Sequence, residues 1–558
     1  MNNKNGMKYF KKIMQIMNKK TPIYFIFTIA DSAIISICYN IVLAFILKEV
    51  IDAIAYHNIK LIRKAFYIAI VSFLIAFVFE PIIMKIKNYC VRSTIGAIKE
   101  DSFSHIENIK VDTYEKYSSG DILSRLTKDI DTLEDVYLKY IPNLCFAIIH
   151  GGVAMVAMIY INYFLGILAI MLGLFSVLVN YFISRKVNAY SGEYQKEYGN
   201  LYQNIIDIYD GFIDIKMNCS EGYSYNKFKS VTKKLQHDYE KREKYNALLE
   251  TNNTLFENIN NIGLMAVGLF MTLKGYTTIG AVISVIKLQG NASYLFQNFS
   301  TFLGEIQKAF PSVERLFEIF EMKTEKISNT DLLYKNETKK YKECISIKDL
   351  VFSYDGLNNV IDGISMNIDY GDFVEITGES GEGKSTFIKI LLGFYHPASG
   401  IYKLNGKYVD DTDISELRNQ IAYVDQDCHL FQLTVKENIR LGNQNATEED
   451  ILEACKLANA HDFIMNLENG YDTVINETCD NISGGQRQRI AIARALVSKK
   501  EILLIDEGTA ELDLETEKMI GNTISNLKGE KTIIIITHKP VIIDNAYKKY
   551  KFVAGKIE

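Results

Sequence analysis

The chain has 558 residues, 48% of them hydrophobic and 12% aromatic; that leaves room for several domains and is more apolar than most soluble enzymes. Its net charge of −5 averages over a membrane-like part and a soluble part, so it selects no partner, and the absence of any basic and aromatic cluster excludes a nucleic-acid partner. The eight cysteines, among them Cys38, Cys90, Cys145 and Cys479, lack C-x₂-C spacing, which excludes a zinc site or a disulfide framework and leaves them as reduced packing residues.

In chain order, the first 20 residues carry Lys4, Lys8, Lys11, Lys12, Lys19 and Lys20, and MKYFKKIMQIM within them reads either as an amphipathic helix on the inner membrane surface or as a basic tail. Apolar runs then follow near 23–47, 65–87, 142–161, 164–183, 255–273 and 279–301. Each is close to the roughly 20 residues that a membrane-crossing helix needs, so six spans are expected. The first is too long for a signal peptide, has no small-residue cleavage site, and is followed by further spans. Between spans two and three (88–141) and four and five (184–254) lie long stretches rich in Lys and Arg. Positive segments stay in the cytoplasm, which puts both loops and both termini there, with short outer loops.

Ionisable residues within the spans are the only clue to cargo, since a buried carboxylate is expensive unless it meets a wet cavity or a partner. Asp31, Glu80 and Glu257 fall in the cytoplasmic half of the membrane and Lys287 nearer the outer half. One reading is an acidic inward-open cavity for cationic or amphipathic cargo. The other is that these carboxylates pair with residues such as Lys287, bind backbone groups, or mark misplaced helix boundaries.

After a linker at 323–340 comes a stretch, 341–558, with the marks of a nucleotide-binding α/β domain. GESGEGKST follows the apolar run DFVEIT and precedes FIKILLGFY. Strand, glycine-rich loop and helix start in that order aim backbone N–H groups and a helix dipole at one polyphosphate. The loop comprises Gly378, Glu379, Ser380, Gly381, Glu382, Gly383, Lys384, Ser385 and Thr386; Lys384 is expected to reach the β and γ phosphates, and the Ser385 hydroxyl to hold Mg²⁺. ILLIDE, 502–507, is a strand ending in Asp506, which can hold Mg²⁺ through water, and Glu507, placed to act as general base on the attacking water. The apolar strand IIII at 533–536 leads to Thr537 and His538, and a histidine there can hydrogen-bond both γ-phosphate and water.

ISGGQ at 482–486 stands where the ATP-binding cassette (ABC) family has LSGGQ, and residues 341–558 resemble the nucleotide-binding domain of an ABC transporter. The resemblance implies that Ser483, Gly484, Gly485 and Gln486 contact an ATP held by the opposite subunit, with Asp513 of the D-loop beside them. It assigns Tyr354 to adenine stacking, Gln426 to the Q-loop and the Mg²⁺ site, and His538 to the switch histidine. EGTAELD departs from the common EATSALD at Gly508 and Glu511, and INETCDNISGG retains only Glu477 of the usual cross-subunit loop. Lys384, Asp506, Glu507 and His538 are all present, so hydrolysis is expected.

YEKYSSGDILSRLTKDIDTLED at 114–135, with Gly120, Ser124, Arg125 and Asp129, is similar to the first intracellular loop of exporter-type ABC proteins, and GFIDIKMNCSEGYSYNKFKS at 211–230 to the end of the second. In that family such loops carry short coupling helices that touch the cassettes. The fold this implies is a multidomain membrane protein: an all-α, six-span exporter-type transmembrane domain (1–322) joined to an α/β P-loop NTPase cassette. The activity implied is ATP-driven export by alternating access in the plasma (inner) membrane of a bacterium, with the cassette inside. The partner is a second half-transporter chain, a homodimer ahead of a heterodimer. The cofactors are ATP and Mg²⁺, and the cargo is an unidentified peptide, drug or lipid-like molecule. An importer built on the same fold and a non-transporting membrane ATPase sensor are the alternatives. The 20 residues before the first span are too few for the peptidase domain of some peptide-exporting relatives. Scarce Pro, no Trp, and abundant Ile, Lys, Asn and Tyr suggest an AT-rich bacterial genome.

Overall fold

The computed structural model describes residues 3–325, 342–379, 381–477, 479, 481–506, 521, 527, 529–537 and 548–558. The chain separates into two compact units, Met1–Ser104 with Ser119–Glu321, and His105–Ser118 with Met322–Glu558.

The first unit is helical. Helix α1 (Asn3–Lys20) buries Tyr9, Ile13 and Met17, one every four residues and therefore on one face; of the two readings of this segment, the helix is the one observed. The long helices α2 (Ile23–Ala55), α3 (Ile59–Glu107) and, beyond the four-residue α4 (Val111–Tyr114), α5 (Ser119–Ile161) and α6 (Tyr163–Asp210) follow. Then come α7 (Phe212–Met217), α8 (Glu221–Leu273), α9 (Ile279–Lys308) and α10 (Phe310–Glu321). Among the described residues, four of these, α2, α3, α5 and α6, are long and apolar enough to cross a membrane. The runs expected at 255–273 and 279–301 lie in α8 and α9, which bury Asn260, Gln289 and Asn291. All six expected runs thus fall on helices of this unit, four of which meet that length-and-composition measure.

Small residues bring these helices together, as expected where packing rather than water expulsion drives association. A Cβ on Gly151 of α5 would lie 2.4 Å from Leu295 of α9, and one on Gly268 of α8 would lie 2.5 Å from Val282 of α9. Around them pack Ala44, Ala154, Ala157, Ala169 and Ala292, all buried.

The second unit holds two sheets. The antiparallel one has the order β2–β1–β4–β5, from β1 (Glu343–Phe352), β2 (Ile361–Asp369), β4 (Ser399–Leu404) and β5 (Lys407–Tyr408). The other has the order β10–β9–β3–β8–β7–β6, from β3 (Phe373–Gly378), β6 (Ile421–Val424), β7 (Ile502–Asp506), β8 (Thr532–Thr537), β9 (Lys548–Val553) and β10 (Lys556–Ile557); only β10 runs antiparallel to its neighbour. Among the described residues the unit also has helices α11 (Lys384–Leu391), α12 (Ile414–Gln420), α13 (Val435–Arg440), α14 (Glu448–Leu457), α15 (His461–Met465) and α16 (Gly484–Val497). Both faces of the parallel sheet are covered, which is why β7 and β8 are continuous apolar runs: Leu503, Ile505, Ile533 and Ile535 enter one core, and Ile502, Leu504, Ile534 and Ile536 the other.

Candidate functional site

The parallel strands end in register. Thr377 of β3 pairs with Thr537 of β8, Asp506 of β7 with Ile536, and Val424 of β6 with Ile505. The carboxyl edge of such a sheet is where ligands bind in α/β folds, and it gathers the phosphate loop, Asp506 and the segment leading to Gln426.

Between β3 and α11 the loop turns through Gly381 and Gly383, at φ +87° and +101°, left-handed values that favour glycine. A Cβ on Gly383 would also lie 2.8 Å from the Val360 carbonyl, and one on Gly378 would lie 2.9 Å from the Phe552 carbonyl and from Glu382. Lys384, the first residue of α11, is 6% exposed; its ammonium donates to the Gly378 and Glu379 carbonyls at 2.8 and 2.6 Å, bonds that offset the cost of burying a charge. Glu382 accepts from the Glu379 N–H at 3.2 Å. The glycine cradle and the helix start that follows it fit a polyphosphate. Tyr354, 57% exposed, is tied to this loop by a 2.9 Å hydrogen bond between its hydroxyl and that of Thr386. Its ring stands nearly perpendicular to Phe352 and Tyr395, at centroid distances of 5.0 and 5.4 Å.

Asp506 is buried and Gln426 and Ser385 are exposed. Burial, with the Asp425 and Asp506 charges adding to it, pushes the Tyr423 phenol well above its ordinary range. A hydroxyl, an amide and a carboxylate are hard oxygen donors, the set Mg²⁺ prefers; Ser385, Gln426 and Asp506 would hold it, and bound there it would neutralise phosphate charge.

Ser483 caps α16: its hydroxyl accepts from the Gln486 N–H at 3.4 Å while the Gln486 side chain accepts from the Ser483 N–H at 3.0 Å. Gly484 and Gly485 follow as the first helical residues. This reciprocal cap presents the expected signature at a helix N-terminus, a feature suited to anions. Arg494 anchors the other end of α16, donating to the Asn438 and His429 carbonyls at 2.9 and 3.0 Å. Ser380, Glu507, Asp513 and His538 lie outside the described residues, as do Gly508 and Glu511.

The residues that reading by motif missed make contacts in and around the segment between α3 and α5. Ile109 forms an antiparallel bridge with Thr324, Asn108 accepts from the Glu325 N–H at 2.7 Å, and Arg418 clasps Glu325 with two bonds of 2.8 and 2.7 Å. Glu115, directly after α4, accepts from Lys389 of α11 at 2.8 Å and from the Tyr395 hydroxyl. Burial alone would raise the Glu115 pKa, but these two donors outweigh it and hold it below the ordinary value.

In the first unit the three candidate cargo carboxylates separate. Asp31 is buried and bonded at 2.5 Å to Lys87, itself buried. It is therefore removed from the expected acidic cavity, and its partner is Lys87 of the neighbouring helix rather than Lys287. Glu80 accepts from the Tyr39 hydroxyl at 3.0 Å. Glu257 lines a narrow cavity with Ser176, Asn180, Asn253, Asn260 and Gln297. The buried Asn260 side-chain oxygen there has no hydrogen-bond partner. Among the described residues no cluster of three His, Cys, Asp or Glu could hold a metal ion.

Comparison with known proteins agrees with both units. Residues 361–510 match the family model described as ABC transporter, and residues 25–296 the one described as ABC transporter transmembrane region. An ATP-dependent lipid A-core flippase of Syntrophus aciditrophicus is 26% identical over 99% of this chain and 91% of its own length. A Staphylococcus aureus protein named for multidrug export as an ATP-binding/permease protein is 29% identical over 94% of this chain and 92% of its own. The solved structure of a bacterial Atm1-family ABC exporter with ATP bound shares the fold, with a TM-score of 0.74 over 97% of this chain and 94% of that one at 21% identity. The chain is accordingly a half-transporter of the ABC exporter family, in which a transmembrane domain is fused to a single cassette that hydrolyses ATP to drive transport.

Proposed function

We propose that two copies of this chain enclose two ATP molecules, each between Lys384 and Ser385 of one copy and Ser483 to Gln486 of the other, and export a cationic, amphipathic cargo from a bacterial cytoplasm. Mg²⁺ held by Ser385, Gln426 and Asp506 serves as the cofactor, Tyr354 stacks on adenine, and Glu507 and His538 act on the attacking water. The observation that carries the dimer is the bare tip of the second loop: Ile213 and Met217 on α7 are 74% and 79% exposed, beside an exposed Phe212. An apolar tip of this kind calls for a partner surface. Closure of two cassettes around ATP drives the membrane helices from an inward-facing to an outward-facing arrangement, and hydrolysis separates the cassettes.

The cargo reading rests on Glu257, whose carboxylate shares a crevice of about 10 Å³, room for one water at most, with an unpartnered amide oxygen; both groups accept hydrogen bonds from a cationic group brought to the crevice, while the body of the cargo lies outside it. Relatives named for a lipid A-core flippase and for multidrug export point to large amphipathic molecules. Inside-out vesicles supplied with ATP and ethidium test it. Accumulation that Glu257→Gln reduces supports cationic export; uptake into whole cells without vesicle accumulation identifies an importer. A homodimer is checked by the mass of the purified complex.

A further inference from the structure

The contacts from the first intracellular loop do not end on the cassette surface. The Tyr395 hydroxyl donates to Glu115, the Tyr395 ring stands at 87° to Tyr354 with centroids 5.4 Å apart, and the Tyr354 hydroxyl bonds Thr386 of the phosphate loop at 2.9 Å. Lys389, on the phosphate-loop helix, holds the same Glu115 carboxylate at 2.8 Å. Tyr354 itself is more than half exposed, so little besides Phe352, Tyr395 and the Thr386 bond fixes its ring. A perpendicular aromatic neighbour contributes orientation as well as contact.

We infer that Glu115 is a positioning residue for ATP: by holding the Tyr395 hydroxyl it sets the angle of the Tyr354 platform, so that the seating of the first intracellular loop and the affinity for adenine are one linked quantity. This rests on the reading of Tyr354 as the adenine-stacking residue. Glu115 touches no nucleotide in this scheme; it acts on the base and leaves the phosphates alone. Linkage makes the effect reciprocal: a loop drawn away from Tyr395 loosens ATP, and bound ATP holds the loop down.

The test uses the full-length transporter in lipid nanodiscs, with ATPase kinetics and inorganic tripolyphosphate as a competitive inhibitor lacking a base. Glu115→Gln and Tyr395→Phe should each raise the KM for ATP about threefold to tenfold, the loss of one aromatic-pair orientation, with kcat within about twofold. The inhibition constant of tripolyphosphate should stay unchanged, and in a Tyr354→Ala background Glu115→Gln should add nothing further. Tyr395→Phe keeps the ring and the fold, so a failure of Glu115→Gln to fold does not end the test. Parallel losses of ATP and tripolyphosphate binding, or effects additive with Tyr354→Ala, would overturn the inference. If Tyr354→Ala alone leaves the KM unchanged, the platform reading itself fails; if it raises the KM and Glu115→Gln does not, only the positioning role falls.

Discussion

The Asp129 carboxylate, fully buried, accepts two hydrogen bonds from the Arg315 guanidinium, at 2.6 Å from Nη2 and 2.9 Å from Nε. Arg125, also buried, donates to Glu318 at 2.9 Å and to the Arg315 carbonyl at 3.1 Å, so two arginine–carboxylate pairs in opposite senses lace the start of α5 to α10. Removing the cation should cost more than neutralising the anion, because it leaves a buried charge unpaired. Arg315→Ala is therefore expected to lower the unfolding temperature more than Asp129→Asn, with the larger loss about 3 kcal/mol and held to that level by the partial exposure of Arg315. Thermal unfolding of the two variants in nanodiscs checks the order; equal or reversed shifts would remove the pair as a tie.

The phosphate loop gives a second expectation. Gly383 combines a φ of +101° with a Cβ position 2.8 Å from the Val360 carbonyl, so Gly383→Ala must move backbone as well as adopt a strained angle. A strain of about 1–3 kcal/mol placed where α11 begins should weaken ATP binding at least tenfold while leaving the membrane helices folded. Lys384→Ala, which loses both loop carbonyl contacts and the phosphate charge partner, is expected to lower kcat by about 10² or more. ATPase assays beside circular dichroism separate these site losses from unfolding.

For the cargo pathway, Asp31 and Glu257 should behave differently. Asp31 and Lys87 form a pair in which both groups are buried. Either single change, Asp31→Asn or Lys87→Met, leaves an unbalanced partner, whereas the double change to apolar residues of similar size removes the problem. The double variant is expected to express and unfold more like wild type than either single one and to keep its stimulation by ethidium. Glu257→Gln, by contrast, should weaken that stimulation with basal ATPase unchanged; normal stimulation in this variant would dismiss the cavity as a cargo site.

The elements of the nucleotide site were legible because each is local. GESGEGKST, ILLIDE and ISGGQ are short runs whose strand, loop and helix settings follow from neighbouring residues, and the register of β3, β7 and β8 brings the first two to one edge. What the motifs could not supply were contacts made across the chain. Glu115 meets Tyr395 over 280 positions and Lys389 over 274, and no periodicity in YEKYSSGD or GFYHP marks either partner. Hydropathy likewise located α2 and α3 but not that Asp31 and Lys87 neutralise each other between them, since helix rotation is set by packing, which hydropathy does not report. Nor did it mark the buried amides of Asn260 in α8 and of Gln289 and Asn291 in α9.

Cysteine chemistry provides a last check on the two cassette cores. Burial pushes the Cys455 thiol up to about 11 and the Cys344 thiol to about 11, and both are at most 1% exposed. Cys219, in the turn between α7 and α8, is exposed. Only the thiolate is nucleophilic, and a group with a pKa three units above the solution pH is ionised in about one molecule in a thousand. At pH 8 iodoacetamide should therefore modify Cys219 first and leave Cys344 and Cys455 intact until denaturant is added, as read by peptide mass spectrometry. Raising the pH to 9.5 should speed the two buried sites only slightly, because access as well as ionisation limits them. Cys344 lies in the core shared with the antiparallel sheet and Cys455 in the one beneath α16, so labelling of either at the rate of Cys219 would show that its face of the parallel sheet is not packed as described.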